Sequence, residues 1–387
     1  MKNTTAAVLI AVALTGCSTF SQMTSAVMPT KTDSATLPKT LKDLKPTATV
    51  RTLWQVSTGS GAGKDYVRIH PQVDASAVLV AGGSAASAWS KVNGSLLWKT
   101  ALDGDVTGGV SSGEGGVFLG TGKGNALALD RQTGKIVWKT PLGSEVLAVS
   151  PPKNGIVVFR TSNGGLHGLA LQSGQVIWQQ ERKNPTLSLR GASTPLVVGG
   201  MVIAGFDSGV VTAFDMQSGK GLWEITLSEP RGKSDLDRMT DVDGEMKALG
   251  EALFATSYNG RIAGINMRNG EMAWAAPYSS YTGVDADPNG LYTSSDTGDL
   301  WKLAPLSGTP VWKMDDLQRR QPTAPTLLGQ YLVIGDYQGY VHWVNTSNGQ
   351  IAARVQGDKA GYTVAPVKDG NTVYTLGKNG LLSAFSL

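Results

Sequence analysis

At 387 residues the chain could hold two or three domains or one radial array of repeats. Its 49 glycines and its low share of charged residues, 17%, exclude a disordered chain and suit many short strands joined by turns. The net charge of +4, or +3 without Lys2 (33 basic minus 30 acidic), is too small and too dispersed for a nucleic-acid-binding surface.

The first residues read as an export signal. Met1-Lys2 is a short positive start, and Ala6 to Leu14 is an apolar run too short to span a membrane. Leu14-Thr15-Gly16-Cys17 resembles the bacterial lipobox, although Thr15 stands where Ala or Ser is usual. We therefore expect a signal peptide over 1–16 and a lipidated Cys17 as the first mature residue. Ser18, rather than Asp, resembles the sorting rule for the outer membrane, so the expected location is lipid-anchored there, facing the periplasm. Cys17 is the one cysteine in the sequence, so no internal disulfide can form. Residues 17–46, rich in Ser, Thr, Lys and Pro, are expected to be a flexible tether spanning on the order of 30 Å.

From residue 47 a repeat takes over. Trp recurs at 54, 98, 138, 178, 223, 274 and 312, with Ala353 in an eighth slot, at spacings of 44, 40, 40, 45, 51, 38 and 41. A period near 40 with one Trp per unit marks a repeat architecture. Gly124, Gly164, Gly209, Gly260, Gly298 and Gly339 each lie 14 residues before a Trp-column position. Several follow Asn or Ser, as in Asn163-Gly164, Ser208-Gly209 and Asn259-Gly260, which is the chemistry of tight hairpin turns with φ > 0. Gly134 and Gly219 mark a second turn. Each unit then reads as four antiparallel strands, the blade of an all-β propeller.

The last unit stops at Ala384-Phe385-Ser386-Leu387, without its second turn and Trp strand. Arg51 to Val56 carries the missing strand. The expectation is therefore eight blades over 47–387, with the N-terminal strand closing the last blade and hiding two sheet edges. The Trp residues are expected between blades, as packing and not as a site.

Two connecting segments depart from the repeat. One is Arg182 to Gly191 after Trp178, and the other is Glu229 to Lys247 after Trp223, where 10 of 19 residues are charged. Both join the outer strand of one blade to the inner strand of the next, so they are expected as neighbours on one face. Binding residues favour loops held by a rigid scaffold. Leu187 and Leu189 at alternate positions make an apolar spot with charges around it, the composition of many protein interfaces.

Little in the sequence points to catalysis. His70, His167 and His342 lie on separate blades with no metal-ligand spacing, and there is no Cys-x-x-Cys-His and no Gly-x-Ser-x-Gly. Asp241-Val242-Asp243-Gly244 matches part of a calcium loop, but the further oxygen ligands and the Glu at position twelve are missing. The rival reading is an enzyme. The Trp repeats resemble those of quinoproteins that bind pyrroloquinoline quinone on eight blades, enzymes similar to one another in a vicinal cysteine pair over the cofactor. The mature chain has no cysteine beyond Cys17, so neither enzymatic activity nor a cofactor or metal is expected.

Lipobox, tether and Trp repeats together resemble the BamB family of outer-membrane assembly factors. Leu187-Ser188-Leu189-Arg190-Gly191 and Arg238-Met239-Thr240-Asp241-Val242-Asp243 are similar to the two loop motifs through which that family contacts BamA, the barrel-inserting subunit. By position, the resemblance implies Leu187, Leu189, Arg190, Asp241 and Asp243 as partner-binding residues. It implies a scaffold that aids delivery or folding of outer-membrane proteins. Alternatives on the same fold are the quinone-dependent enzyme or a propeller docking another envelope component. One departure is Gly244-Glu245-Met246-Lys247, where the family more often has small residues and Pro.

Overall fold

The computed structural model describes residues 37–59, 61, 67–189 and 191–387. Cys17, Arg190 and most of the expected tether lie outside the described residues. From Pro38 to Leu387 the chain forms one unit. Eight four-stranded antiparallel sheets follow one another along it, and we number these blades 1–8 from residue 72 onward. Blade 1 spans 72–101, blade 2 106–141, blade 3 146–181 and blade 4 196–226. Blade 5 spans 247–276, blade 6 284–314, blade 7 326–356 and blade 8 367–386. The fourth strand of blade 8 is Arg51–Ser57, antiparallel to Leu381–Ser386 with Arg51 opposite Ser386. The split blade closes the ring as the incomplete last repeat predicts.

The hydrophobic interior is not one core but eight, one at each interface between successive blades, with Leu79, Val117 and Leu129 between blades 1 and 2 as an example. This follows from the strand pattern. The second and third strands of a blade are buried on both faces, as in Ala77–Gly82, and need cover from two neighbours. The outermost strands show one buried Trp between exposed residues.

The Trp column is a latch between blades. The Trp98 indole N–H donates to the carbonyl of Arg131 at 3.0 Å, and Trp138 repeats this onto Leu171 at 2.8 Å. Trp54, Trp178, Trp223, Trp274 and Trp312 do the same one blade further on each time. The acceptor sits in the next blade's second turn, where a glycine is required twice over. Gly134 has φ +69°, and a Cβ there would lie 2.4 Å from the Trp98 ring. A one-residue bulge precedes every latch residue: Leu97 is skipped when Ala88 pairs with Trp98 and Trp89 with Leu96. Such a bulge re-aims the Trp into the interface. In the first turn the expected glycine conformation holds at Gly124 and Gly209, but in Asn259-Gly260 it is Asn259 that takes positive φ, at 48°. Asn tolerates that region, so the turn is made one residue early.

The tether ends sooner than its composition suggests. Residues 38–50 are laid along blades 6 and 7 as a strap. Lys39 and Lys42 pair with Asp315 and Asp316 at 2.7 and 2.8 Å, and Leu41 packs beside Trp312 and Ile351. The N–H groups of Thr47 and Ala48 both donate to Ala352 O, the carbonyl of blade 7's bulge residue. The segment reads as linker because its scattered apolar contacts, from Leu41, Ala48 and Val50, share the hold with backbone bonds and ion pairs and leave no hydrophobic period.

Candidate functional site

The two irregular loops lie side by side, as the blade topology requires. The first, 182–195, joins blades 3 and 4; the second, 227–246, joins blades 4 and 5. Among the described residues, four hydrogen bonds stitch them together. Leu189 N–H donates to Asp241 Oδ1 at 3.1 Å, Ser193 Oγ donates to Val242 O at 3.1 Å, and Thr194 Oγ1 donates to Glu245 Oε1 at 2.9 Å, with Thr194 N–H joining it at 3.2 Å. Gly191 passes so close to Asp243 that a Cβ would sit 3.0 Å from its Oδ2.

The second loop has two halves of opposite character. Residues 229–238 are exposed and held by few bonds: Ser234 and Asp237 cap each other's N–H, Arg238 pairs with Asp235, and the Asn259 side-chain amide of blade 5 donates to Leu236 O at 3.0 Å. Residues 239–246 are the buried base. Val242 sits in the core between blades 4 and 5, its N–H donating to Phe206 O, while Asp241 O accepts from Tyr258 N–H. An apolar Val between two acids therefore anchors the Asp-Val-Asp motif, with its carboxylates turned toward the first loop.

Asp241 and Asp243 are 0% and 2% exposed. The geometry gives Asp241 a hold on Leu189 of the first loop. One carboxylate oxygen from each of Asp207, Asp241 and Asp243 lies within 4.8 Å of the others. Arg160, itself buried, is bonded to Asp207 and stacked on Phe206. Burial pushes the Asp241 carboxyl up to about 7, with the charges of Asp243 and Asp207 adding to it. Burial likewise raises Asp243 to about 6, against the pull of Arg160 and Arg68. Both Asp243 oxygens and Asp241 Oδ2 have no hydrogen-bond partner among the described residues. These three carboxylates are the group that could hold a cation, and Arg160 already brings one positive charge to them.

The surface of the site is apolar. Leu187 is 42% exposed, Leu189 half-buried, and Leu236 on the tip of the second loop 64% exposed. Leu236 went unnoticed in the sequence because it stands alone within a charged run. His167 and His342 are buried within strands, and His342 bonds Asp336 at 3.0 Å.

A family model described as outer membrane protein assembly factor BamB matches residues 86–314. The BamB of Pseudomonas aeruginosa is 44% identical over 351 residues, covering 90% of this chain and 92% of that one. The crystal structure of BamB from Moraxella catarrhalis superposes with a TM-score of 0.81 at 25% identity, covering 88% of this chain and all of the other. A quinohemoprotein alcohol dehydrogenase from Pseudomonas putida reaches a TM-score of 0.68 at 12% identity over 87% of this chain and 76% of that one, a likeness of fold alone. The relation that follows both sequence and fold along almost the whole chain is the other one, and the chain belongs to the BamB family of outer membrane protein assembly factors.

Proposed function

We propose that this protein is a non-enzymatic scaffold lipoprotein of the outer-membrane β-barrel assembly machinery, held at the inner face of the outer membrane through Cys17. It binds BamA by the face that carries Leu187, Leu189 and Arg190, and so aids delivery and folding of outer-membrane proteins. The observation that carries the reading is the stitched pair of loops: an exposed leucine on a segment whose backbone is held by the buried Asp241 and by Glu245 of the neighbouring loop. A pre-ordered apolar anchor with a charged rim is what binding requires, because little entropy remains to be lost. Asp241 and Asp243 serve this face from beneath.

Truncating a buried interface anchor costs on the order of 2 kcal/mol or more. Leu187→Ala with Arg190→Ala, and Asp241→Ala with Asp243→Ala, should each abolish capture of BamA while melting as folded propellers. Lys368→Ala with Asp369→Ala, at the start of blade 8, is the control. Undiminished capture by folded loop variants would overturn the assignment. Cys17→Ser should release the protein from membranes; normal outer-membrane fractionation of that variant would remove the lipid anchor from the proposal.

A further inference from the structure

Between the strand that closes blade 8 and the first strand of blade 1 lies Val67-Arg68-Ile69-His70, an extended segment whose side chains alternate between two destinations. Ile69, 3% exposed, and Val67 pack into the core shared by blades 1 and 2. Arg68 and His70 point the other way, to the far side of the ring. Arg68 Nη1 donates to Tyr281 O at 2.8 Å and lies 3.5 Å from Asp243 O, with its guanidinium 5.3 Å from the centre of the Tyr281 ring. His70 Nε2 lies 3.8 Å from Glu245 Oε1.

A residual cavity of about 10 Å³ is bounded by Arg68, His70, Asp243, Glu245, Thr282 and Ala324, among others. These residues come from the inner connections of well-separated blades, which meet only near the ring axis. The remaining space is close to the lower limit for one water. Arg68 and His70 line that space, and Arg68 ties the 67–70 segment to the base of the second loop.

From there the chain of contacts runs outward. Glu245 N–H donates to Thr282 O, and Val284 N–H donates to Glu245 O, so the 239–246 base is paired with the stretch that Arg68 holds. Glu245 Oε1 accepts from Thr194, and Asp241 Oδ1 from Leu189, on the loop that carries Leu187. The donor at the centre is an arginine, whose guanidinium delivers a directed bond and ring stacking together.

We infer that Arg68 is a positioning residue of the loop face: reaching across the ring axis to Tyr281 and Asp243, it fixes the base from which Asp241 and Glu245 hold the Leu187–Leu189 segment. This rests on the reading of that face as the docking site for BamA. A residue more than a hundred positions away in sequence, touching no partner, then sets how well the face is pre-ordered.

The test uses the full mature chain as wild type, Arg68→Ala, Arg68→Lys and Leu187→Ala/Leu189→Ala, with the periplasmic region of BamA as the probe. Binding constants are measured together with amide exchange resolved along the chain. Arg68→Ala should weaken binding about ten-fold, the scale of one charge-assisted hydrogen bond. It should speed exchange in 187–194 and 239–246 and leave blades 6 to 8 as they were. Arg68→Lys, which can keep one donor for Tyr281 O but loses the guanidinium's stacking, should recover only part of both. Unchanged exchange in the two loops of Arg68→Ala would overturn the inference, and so would a rise spread evenly over all eight blades. If Leu187→Ala/Leu189→Ala binds normally while Arg68→Ala still loosens both loops, the positioning role stands and the docking face falls. If the leucine variant loses binding and Arg68→Ala changes neither readout, the reverse holds.

Discussion

Ala353 lies directly opposite Trp343 across the outer two strands of blade 7, and the Trp343 indole packs edge-on against Phe385 of blade 8 at 5.7 Å. The aromatic missing from the latch column has moved one strand inward. The cause is the split blade: the outer strand of blade 8 arrives from the N-terminal side, so no second turn exists there to receive an indole. Trp343→Ala should therefore cost as much as loss of a column Trp, about 3–5 kcal/mol. Ala353→Trp, which would restore the repeat consensus, should lower stability by about 1–3 kcal/mol through overpacking at a site 3% exposed. Chemical denaturation of both variants decides this, and a more stable Ala353→Trp would refute the account.

The strap makes a second expectation concrete. A chain starting at residue 47 loses Leu41 and both Lys–Asp pairs, while one starting at residue 38 keeps them. The shorter chain should be less stable by about 1–3 kcal/mol, chiefly from the apolar contact, since exposed ion pairs contribute little. Equal melting of the two would show that the strap is held without contributing. Removing residues through Val56 should be far worse, because it strips a strand from blade 8 and uncovers Trp89, Val78 and Tyr374.

Acid should act in opposite directions at two sites. Asp241 and Asp243 are raised to about 7 and 6, so the folded state binds their protons more tightly than the unfolded chain does. Their contribution is full below the ordinary carboxylate range near 4 and is lost as pH climbs toward 7. Asp241→Asn with Asp243→Asn should gain stability relative to wild type as pH rises from about 4 to 7. Asp336 is the reverse case. Burial pushes it up, but the bond from His342 and the charges of His342 and Arg320 outweigh that and hold it below the usual value. Its contribution is present above about pH 4 and lost below, so Asp336→Asn should cost most near neutrality. Melting temperatures across pH 3.5 to 8 give both slopes, and parallel slopes for the two variants would contradict the assignment.

Removing one member of a buried ion pair leaves a charge without compensation. Asp207→Ala strands Arg160, whose Nε and Nη1 have no partner among the described residues. A loss of about 3–5 kcal/mol is expected. Arg160→Met with Asp207→Leu should recover most of it, and failure of that double variant to recover would point to a role for the pair beyond stability.

The Trp column and the second-turn glycines made the ring legible because they are two halves of a single contact, repeated from blade to blade and broken only where the ring closes. The paired loops were legible as interruptions of that period. What escaped the sequence obeys no period. Arg68 meets Tyr281 213 residues away, through a backbone carbonyl any residue could offer. The burial of Asp241 and Asp243 was hidden because acids in a run of charges look solvated, and Val242, which sits between them in the core, is one of a few scattered apolar residues among ten charges.

Arg51 pairs with Ser386, at the other end of the propeller. As ribosomes deliver the chain, the strand Arg51–Ser57 has no partner in the native sheet until nearly all of the remaining sequence exists. Seven blades can therefore assemble in order while the first strand waits, and the final step is closure of a loop of more than three hundred residues. Loops of that length close slowly, and contacts of that separation dominate folding time. The one joint that completes the ring therefore cannot form before the last strand has been made.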